Sequence, residues 1–255
     1  MPFVSFLCDF NDRRPVVAAQ AAIGIAGEIG DGCDPGDERR VTWVTSVTCV
    51  TLPVGRGSRR SYNRAMNTQR FTQFLDTMDT LVARTSHEPT VLDEAEAALK
   101  SLIARDDWLP PQYAQPVAER YQSYALYIDP QARYSVISFV WAPGQGTAVH
   151  NHTVWGLIGV LRGAERCEEF PVPSAAEMTR MHAHDLAQGE VDRVSPAIGD
   201  WHKVSNAMAE LPTVSIHVYG ADIGRVHRNC WDATTRELKP MVSGYSNDTP
   251  WIPAR

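Results

Sequence analysis

From residue 67 onward the chain carries a clear helical period. Phe71, Phe74, Leu75, Met78, Leu81 and Val82 recur at three and four residues, which lays one apolar stripe along an α-helix. Asn67 or Thr68 is placed to cap its start. A second helix is expected over about 91–104, with Leu92, Leu99, Leu102 and Ile103 turned inward and Pro110-Pro111 beyond its end. Glu94 and Glu96 fall in its early turns, where the helix dipole favours acidic groups. A short third helix is expected around 112–121, limited by Pro116, because proline removes a backbone donor.

After Tyr121 the period shortens to two. The runs YQSYALYI, YSVISFVWA, VWGLIGVLRG, RCEEFPV, GEVDRVSP, HKVSN and PTVSIHVYG are rich in Val, Ile, Tyr and Trp and are separated by Asp-Pro, Pro-Gly and Gly-Asp turns. Several short strands at this spacing predict an antiparallel sandwich or barrel. The expected architecture is mainly β, with a helical cap over about 67–121 packed on a barrel over about 122–235. Residues 1–65 differ. They hold Cys8, Cys33 and Cys49 and the turn-rich runs GEIGDGCDPGDERR and VGRGSRRSYNR, and only VTWVTSVTCVTL at 41–52 alternates. They read either as a poorly ordered extension or as residues upstream of a true start at Met66.

Composition narrows the partners. The chain has 255 residues, 44% hydrophobic and 21% charged, enough for one domain with a sizeable core. A net charge of −6 gives no general attraction to nucleic acid or to an anionic membrane surface, so a small-molecule partner is expected. No apolar run reaches the roughly 18 residues of a membrane span. Arg13-Arg14 imitates a signal-peptide start, but Asp9 and Asp12 precede it and no small-residue cleavage pattern follows. The five cysteines are odd in number and lack metal-ligand spacing, so they read as reduced thiols in a cytoplasmic protein.

The candidate chemistry centres on Gly144 to Gly163, GQGTAVHNHTVWGLIGVLRG. His150 and His152 are two apart, so in extended chain both imidazoles face one side and offer two nitrogens to a metal. His202 is the preferred third ligand, with His217 as the alternative. His182-Ala183-His184 has the same spacing but sits in a polar, loop-like stretch, and is read as solvated surface. Ser215, His217 and Tyr219 alternate with Val214, Ile216 and Val218, so one strand face is polar. On that face the serine can hold the imidazole and the imidazole the phenol; the alternative is a polar face turned to solvent.

The spacing Gly144, five residues, His150-x-His152, three residues, Gly156, six residues, Gly163 resembles the first cupin motif, with Gly156 in place of its usual glutamate ligand. Gly189, Pro196, Gly199, His202 and Asn206 resemble the second, with one extra residue on each side of the proline. The resemblance implies a cupin, the double-stranded β-helix or jelly-roll barrel. Within the cupins, HNHTVWGLIGVLRGAE, GDWHKVSN and SIHVYGADIG resemble the cysteine dioxygenase family of thiol dioxygenases, and within it the bacterial 3-mercaptopropionate dioxygenases. The likeness runs from about Met66 to Arg228.

That resemblance implies Fe(2+) held by His150, His152 and His202, and a relay of Ser215, His217 and Tyr219. It implies Arg228 on the substrate carboxylate, with Arg225 as competitor. The cysteine-specific enzymes carry a crosslinked cysteine where Gly156 stands, so no crosslink to Tyr219 forms here. Cys167 is then an ordinary buried or surface thiol. Trp155, and Tyr124 or Gln122, are candidates for shaping the pocket. Three neutral histidines leave a divalent metal its full charge, which favours an anionic ligand such as a thiolate. The expected reaction adds both atoms of dioxygen to a small thiol carboxylate, 3-mercaptopropionate first and cysteine second. A zinc or manganese cupin acting as isomerase or hydrolase, and a ligand-sensing cupin, are the other classes.

Overall fold

Two helices come first among the described residues, as the apolar period requires. The structure is a computed structural model that describes residues 67–173 and 178–255. The expectations for residues 1–65, for Met66 as a start and for the strand at 41–52 lie outside the described residues. Helix α1 (Thr68–Arg84) buries Phe71, Phe74, Leu75, Met78 and Leu81. Helix α2 (Glu88–Ile103) buries Val91, Leu92, Ala95, Leu99, Leu102 and Ile103. It starts earlier than its apolar stripe because a proline occupies its first turn, where a missing N–H leaves nothing unsatisfied. Only Glu88 is therefore in the first turn. Glu94 and Glu96 lie deeper in the helix and form ion pairs instead, Glu94 with Arg84 and Glu96 with Lys100 and Arg193. The third helix is reduced to one 3-10 turn, Pro111–Ala114.

Among the described residues ten strands follow: β1 (Gln122–Ile128), β2 (Ser135–Trp141), β3 (Gly156–Arg162), β4 (Ala164–Glu169), β5 (His182–Ala187), β6 (Val191–Val194), β7 (His202–Asn206), β8 (Thr213–Tyr219), β9 (Arg228–Asp232) and β10 (Glu237–Met241). They form an antiparallel sheet in the order β1-β2-β8-β3-β6, a second in the order β5-β4-β7, and a β9-β10 hairpin. This strand order, with chain-distant strands as neighbours in both sheets, is the double-stranded β-helix of a cupin. Strand β8 is buried at every position. Val214, Ile216 and Val218 belong to the core shared with the helices, and the alternate residues Thr213, Ser215, His217 and Tyr219 take the other face.

The helices reach the sheet where β3 has no side chain. A Cβ on Gly159 would stand 3.0 Å from Ile103 Cδ1 and 3.1 Å from Leu99. Beside this contact Trp108 is fully buried, donates its indole N–H to Leu102 O at 3.1 Å and stacks on Phe71 at 5.1 Å. Trp251 of the C-terminal tail stacks on Phe71 at 5.0 Å. The same tail covers the free edge of β1: Ser246 N–H donates to Ser123 O, and Ser123 and Ala125 N–H donate to Ser246 Oγ and Asn247 Oδ1. An exposed strand edge is thereby closed to other chains.

One reading is overturned here. HAHDLA, taken for a loop, is strand β5, paired to β4 along its whole length. It is an edge strand with little apolar surface on either face, so it lacks the alternation that would identify it. Strands β9 and β10 also lack a clear alternation: in β9 the adjacent Cys230 and Trp231 are both buried, and β10 has no buried position. Among the described residues no helix is long and apolar enough to cross a membrane.

Leu99 is fully buried between α2 and β3. Leu99→Ala is expected to lower the unfolding free energy by about 2 to 5 kcal/mol, read as a lower urea midpoint at unchanged slope.

Candidate metal centre

Main-chain bonds set the positions of two of the three histidines. His150 and His202 exchange backbone hydrogen bonds of 2.9 and 3.0 Å, which ties the loop before β3 to the start of β7. His150 also bridges to Cys230 in β9. His152 is placed by a carboxylate: Asp200 Oδ1 accepts from the His152 main-chain N–H and lies 2.9 Å from its Nδ1, and Asp200 Oδ2 accepts from Thr153 N–H at 2.9 Å. These bonds hold Thr153 at φ 62°, a left-handed conformation that non-glycine residues adopt only under such constraint.

The ligand atoms of His150, His152 and His202 lie within 4.8 Å of one another, and all three residues are buried. Each Nδ1 is already engaged, with Ala148 O at 3.0 Å, Asp200 Oδ1 at 2.9 Å and Cys167 Sγ at 3.7 Å respectively. A proton on Nδ1 leaves the lone pair on Nε2. His152 Nε2 is buried and has no hydrogen-bond partner; such an atom is costly, and a cation at the focus of the three rings would satisfy it. Burial pushes the imidazole of His150 down to about 3, with the Arg228 charge adding to the effect. Burial also holds His152 and His202 well below the usual range, helped by their histidine neighbours. All three are neutral donors at pH 7, so the set fits a divalent metal ion.

Strand β8 supplies the second group. Ser215 Oγ is 2.8 Å from His217 Nε2, and His217 Nδ1 is 2.8 Å from Tyr219 Oη. Both imidazole nitrogens of His217 are thus occupied, which removes it as the third ligand. Trp141 Nε1–H donates to Ser215 Oγ at 3.3 Å. The Tyr219 ring stacks on His152 at 5.3 Å and 20°. Burial pushes its phenol well up against the opposing charge of Arg228, so it remains an O–H donor at neutral pH.

Arg228, at the start of β9, is buried and donates from Nη2 to Ser243 Oγ at 2.8 Å. Its Nε is buried without a partner, and its charge acts on all three histidines and on Tyr219. A buried guanidinium with an unused donor is a site for an anion. The competitor Arg225 is 88% exposed and pairs with Asp222.

Comparison with known proteins places this geometry. The family model described as cysteine dioxygenase type I matches residues 66–230. The chain belongs to the cysteine dioxygenase type I family. Curated relatives include cysteine dioxygenase type 1 of Rattus norvegicus, 24% identical over 160 residues, covering 55% of this chain and 79% of that one. The Homo sapiens protein of the same name is 23% identical over the same coverage. Among solved structures, a protein of Klebsiella pneumoniae with a double-stranded β-helix domain aligns at TM-score 0.35 and 18% identity over 44% of this chain and 80% of its own. A cupin superfamily protein of Desulfitobacterium hafniense aligns at TM-score 0.35 and 16% identity over 46% and 94%.

Within this family frame Gly156 has a steric role. It pairs with Tyr219 across β3 and β8, and a Cβ there would stand 2.7 Å from Tyr219 Cδ1 and 2.9 Å from Val194 Cγ2. The phenol ring occupies the space that a larger residue would need, and glycine carries no thiol to crosslink. Cys167 is buried behind His202. Burial and the nearby Asp192 push its thiol well up, so it stays protonated.

Of the expected pocket-shaping residues, none has its polar or aromatic group directed at the centre. Tyr124 packs edge-on against Tyr113 on the helix side, Trp155 lies over Gly220, and the Gln122 amide donates to Arg120 O and Tyr121 O. An aromatic wall that sequence reasoning missed stands behind the relay instead. Phe139 is 4.3 Å from the His217 ring, and Tyr121 is 4.7 Å from Trp141. Alternation could not choose this face of β2, because β2 is apolar and buried on both sides. Asp200 was missed too; its one signal is its place two residues before His202.

The pair read as solvated surface divides. His182 is exposed, but His184 is half-buried, with Nε2 3.1 Å from Asp192 Oδ2. It forms a second donor group with Cys167 and Asp192.

Metal-free protein is expected to lose stability as the pH falls below about 6.5, the ordinary histidine value. Below that value the unfolded chain binds protons that the three buried imidazoles refuse, so stability falls with acidification. Thermal midpoints between pH 7 and 5 measure it; a flat profile would contradict the buried neutral state.

Proposed function

We propose that this member of the cysteine dioxygenase type I family is an iron(II)-dependent thiol dioxygenase acting on a small thiol carboxylate, with 3-mercaptopropionate as the favoured substrate. The observation that carries this reading is the convergence of three neutral, carboxylate-free imidazoles beside a protonated phenol and a buried arginine with an unused donor. His150, His152 and His202 are the residues to hold the metal. Ferrous iron, when bound, supplies a Lewis acid that lowers the thiol pKa and the redox chemistry that dioxygen needs to react with sulfur.

The rest of the work falls to the chain. Arg228 grips the carboxylate through its guanidinium fork and so fixes the distance from carboxylate to sulfur. Ser215 and His217 hold the Tyr219 hydroxyl in one orientation, ready to donate to charge that develops on the reacting oxygen. Phe139, Tyr121 and Trp141 keep the relay dry, which strengthens each of these interactions. The reaction balances as RSH + O2 giving RSO2− and a proton, with both oxygens on sulfur.

Cysteine is the second reading, favoured by the names of the curated relatives. The substrates share thiol and carboxylate and differ by an ammonium. That cation would enter a pocket already charged by Arg228 and by a divalent ion, which disfavours it.

Oxygen uptake by iron-loaded protein tests the reading against 3-mercaptopropionate, cysteine, cysteamine and mercaptosuccinate. Mercaptopropionate is expected to give the highest kcat/KM, and cysteamine, which lacks a carboxylate, a poor one. Binding of thiols without oxygen consumption would leave a ligand-binding cupin; zinc or manganese as the bound metal, with no oxygen uptake, would leave an isomerase or hydrolase. Tyr219→Phe should retain iron and lower kcat by about 10². Arg228→Ala should weaken carboxylate binding by about 2 to 5 kcal/mol, read as a raised KM.

A further inference from the structure

The buried Arg228 side chain is fixed at both ends. At its root, Asn229 donates its main-chain N–H to Asn151 Oδ1 at 2.8 Å and accepts from Asn151 N–H at 3.1 Å, while Trp231 N–H donates to Val149 O at 2.8 Å. Strand β9 is thereby laced to the segment that carries His150 and His152. At its tip, Nη2 donates to Ser243 Oγ at 2.8 Å. Ser243 is half-buried just after β10, beyond the residues 66–230 that the family model matches. Its own segment is anchored to the loop before β9. Gly244 N–H donates to Gly224 O at 3.0 Å, Gly224 N–H donates to Tyr245 Oη at 2.9 Å, and Tyr245 Oη donates to the Asp222 carboxylate. A Cβ on Gly224 would stand 2.4 Å from the Tyr245 ring, so the two segments pack in direct contact.

The proposed substrate gives this double fixation a use. An arginine side chain has many rotamers, and ordering them on binding costs affinity. A guanidinium held in advance avoids that cost and offers its contact to a carboxylate in one place only. The donor left over is Nε, which is buried and without a partner. We infer that Ser243 positions the Arg228 fork, and that the fork so held selects a thiol carboxylate by the length of chain between its sulfur and its carboxylate. A substrate whose sulfur lies at the focus of His150, His152 and His202 must place its carboxylate where the Nε–H waits. A chain one methylene shorter or longer meets one end and misses the other. Ser243 touches no substrate; it is a positioning residue and acts through Arg228.

This inference rests on the thiol dioxygenase reading for its substrate class, so it is tested by binding, without turnover. Anaerobic calorimetry of the iron(II)-loaded protein measures Kd for mercaptoacetate, 3-mercaptopropionate, 4-mercaptobutyrate and cysteamine. The wild type is expected to bind one of the three carboxylates about tenfold more tightly than the other two. Ser243→Ala should weaken that carboxylate by about tenfold, narrow the spread across the three lengths and leave cysteamine, which has no carboxylate, within about twofold. Ser243→Thr keeps the hydroxyl and should restore the wild-type profile. Ser243→Gly also removes the hydroxyl and repeats the test if the alanine variant does not fold, and the wild-type series needs no variant. Equal weakening of all four thiols, as a merely structural role would give, would overturn the inference. So would a length profile unchanged by loss of the hydroxyl, or one already flat in the wild type. Carboxylate selection without oxygen uptake would overturn the oxidative reading alone, and failure to bind any thiol would overturn both.

Discussion

The structure depends on the burial of three imidazoles with their lone pairs turned toward one point. Taking a histidine nitrogen out of water without a partner is unfavourable, and His152 Nε2 is in that position. Protonation, the usual escape, is closed by the burial that holds the imidazoles neutral. A metal ion at their focus removes the penalty, and the fold is arranged to keep the rings from finding another solution. Asp200, the Ala148 carbonyl and Cys167 occupy the Nδ1 atoms, so rotation of any ring would break a bond already made.

From that centre the requirements spread outward. The metal-facing loop must be tied to β7, which the reciprocal His150 and His202 main-chain bonds achieve. The phenol must lie against His152, which needs a partner strand without a side chain, and Gly156 meets that need. β8 must carry polar groups inward while remaining anchored, and its other face does the anchoring through Val214, Ile216 and Val218 on the helix-side core. The helices thus stabilise the site at a distance, through a sheet whose two faces have different tasks.

Much of this was legible in the chain. The stripe from Phe71 to Leu81 and the alternation from Val214 to Tyr219 are strong periodic signals, and each gave its element nearly to the residue. The spacing of His150, His152 and His202 was informative because metal ligands must converge, whatever lies between them. The failures share a cause. β5 is an edge strand with a polar surface, so no burial pattern marked it. Tyr124 on β1 and Trp155 just before β3 are aromatic residues whose direction alternation alone does not assign. Asp200 acts through His152, and a carboxylate that touches no ligand leaves no spacing to read.

X-ray absorption of the iron(II)-loaded protein, recorded without thiol, tests the central claim most directly. The account predicts one ion with a nitrogen and oxygen shell in which three imidazoles account for the protein ligands, and no sulfur. Sulfur in that shell would place the ion at Cys167, His184 and Asp192 instead, and would contradict the account.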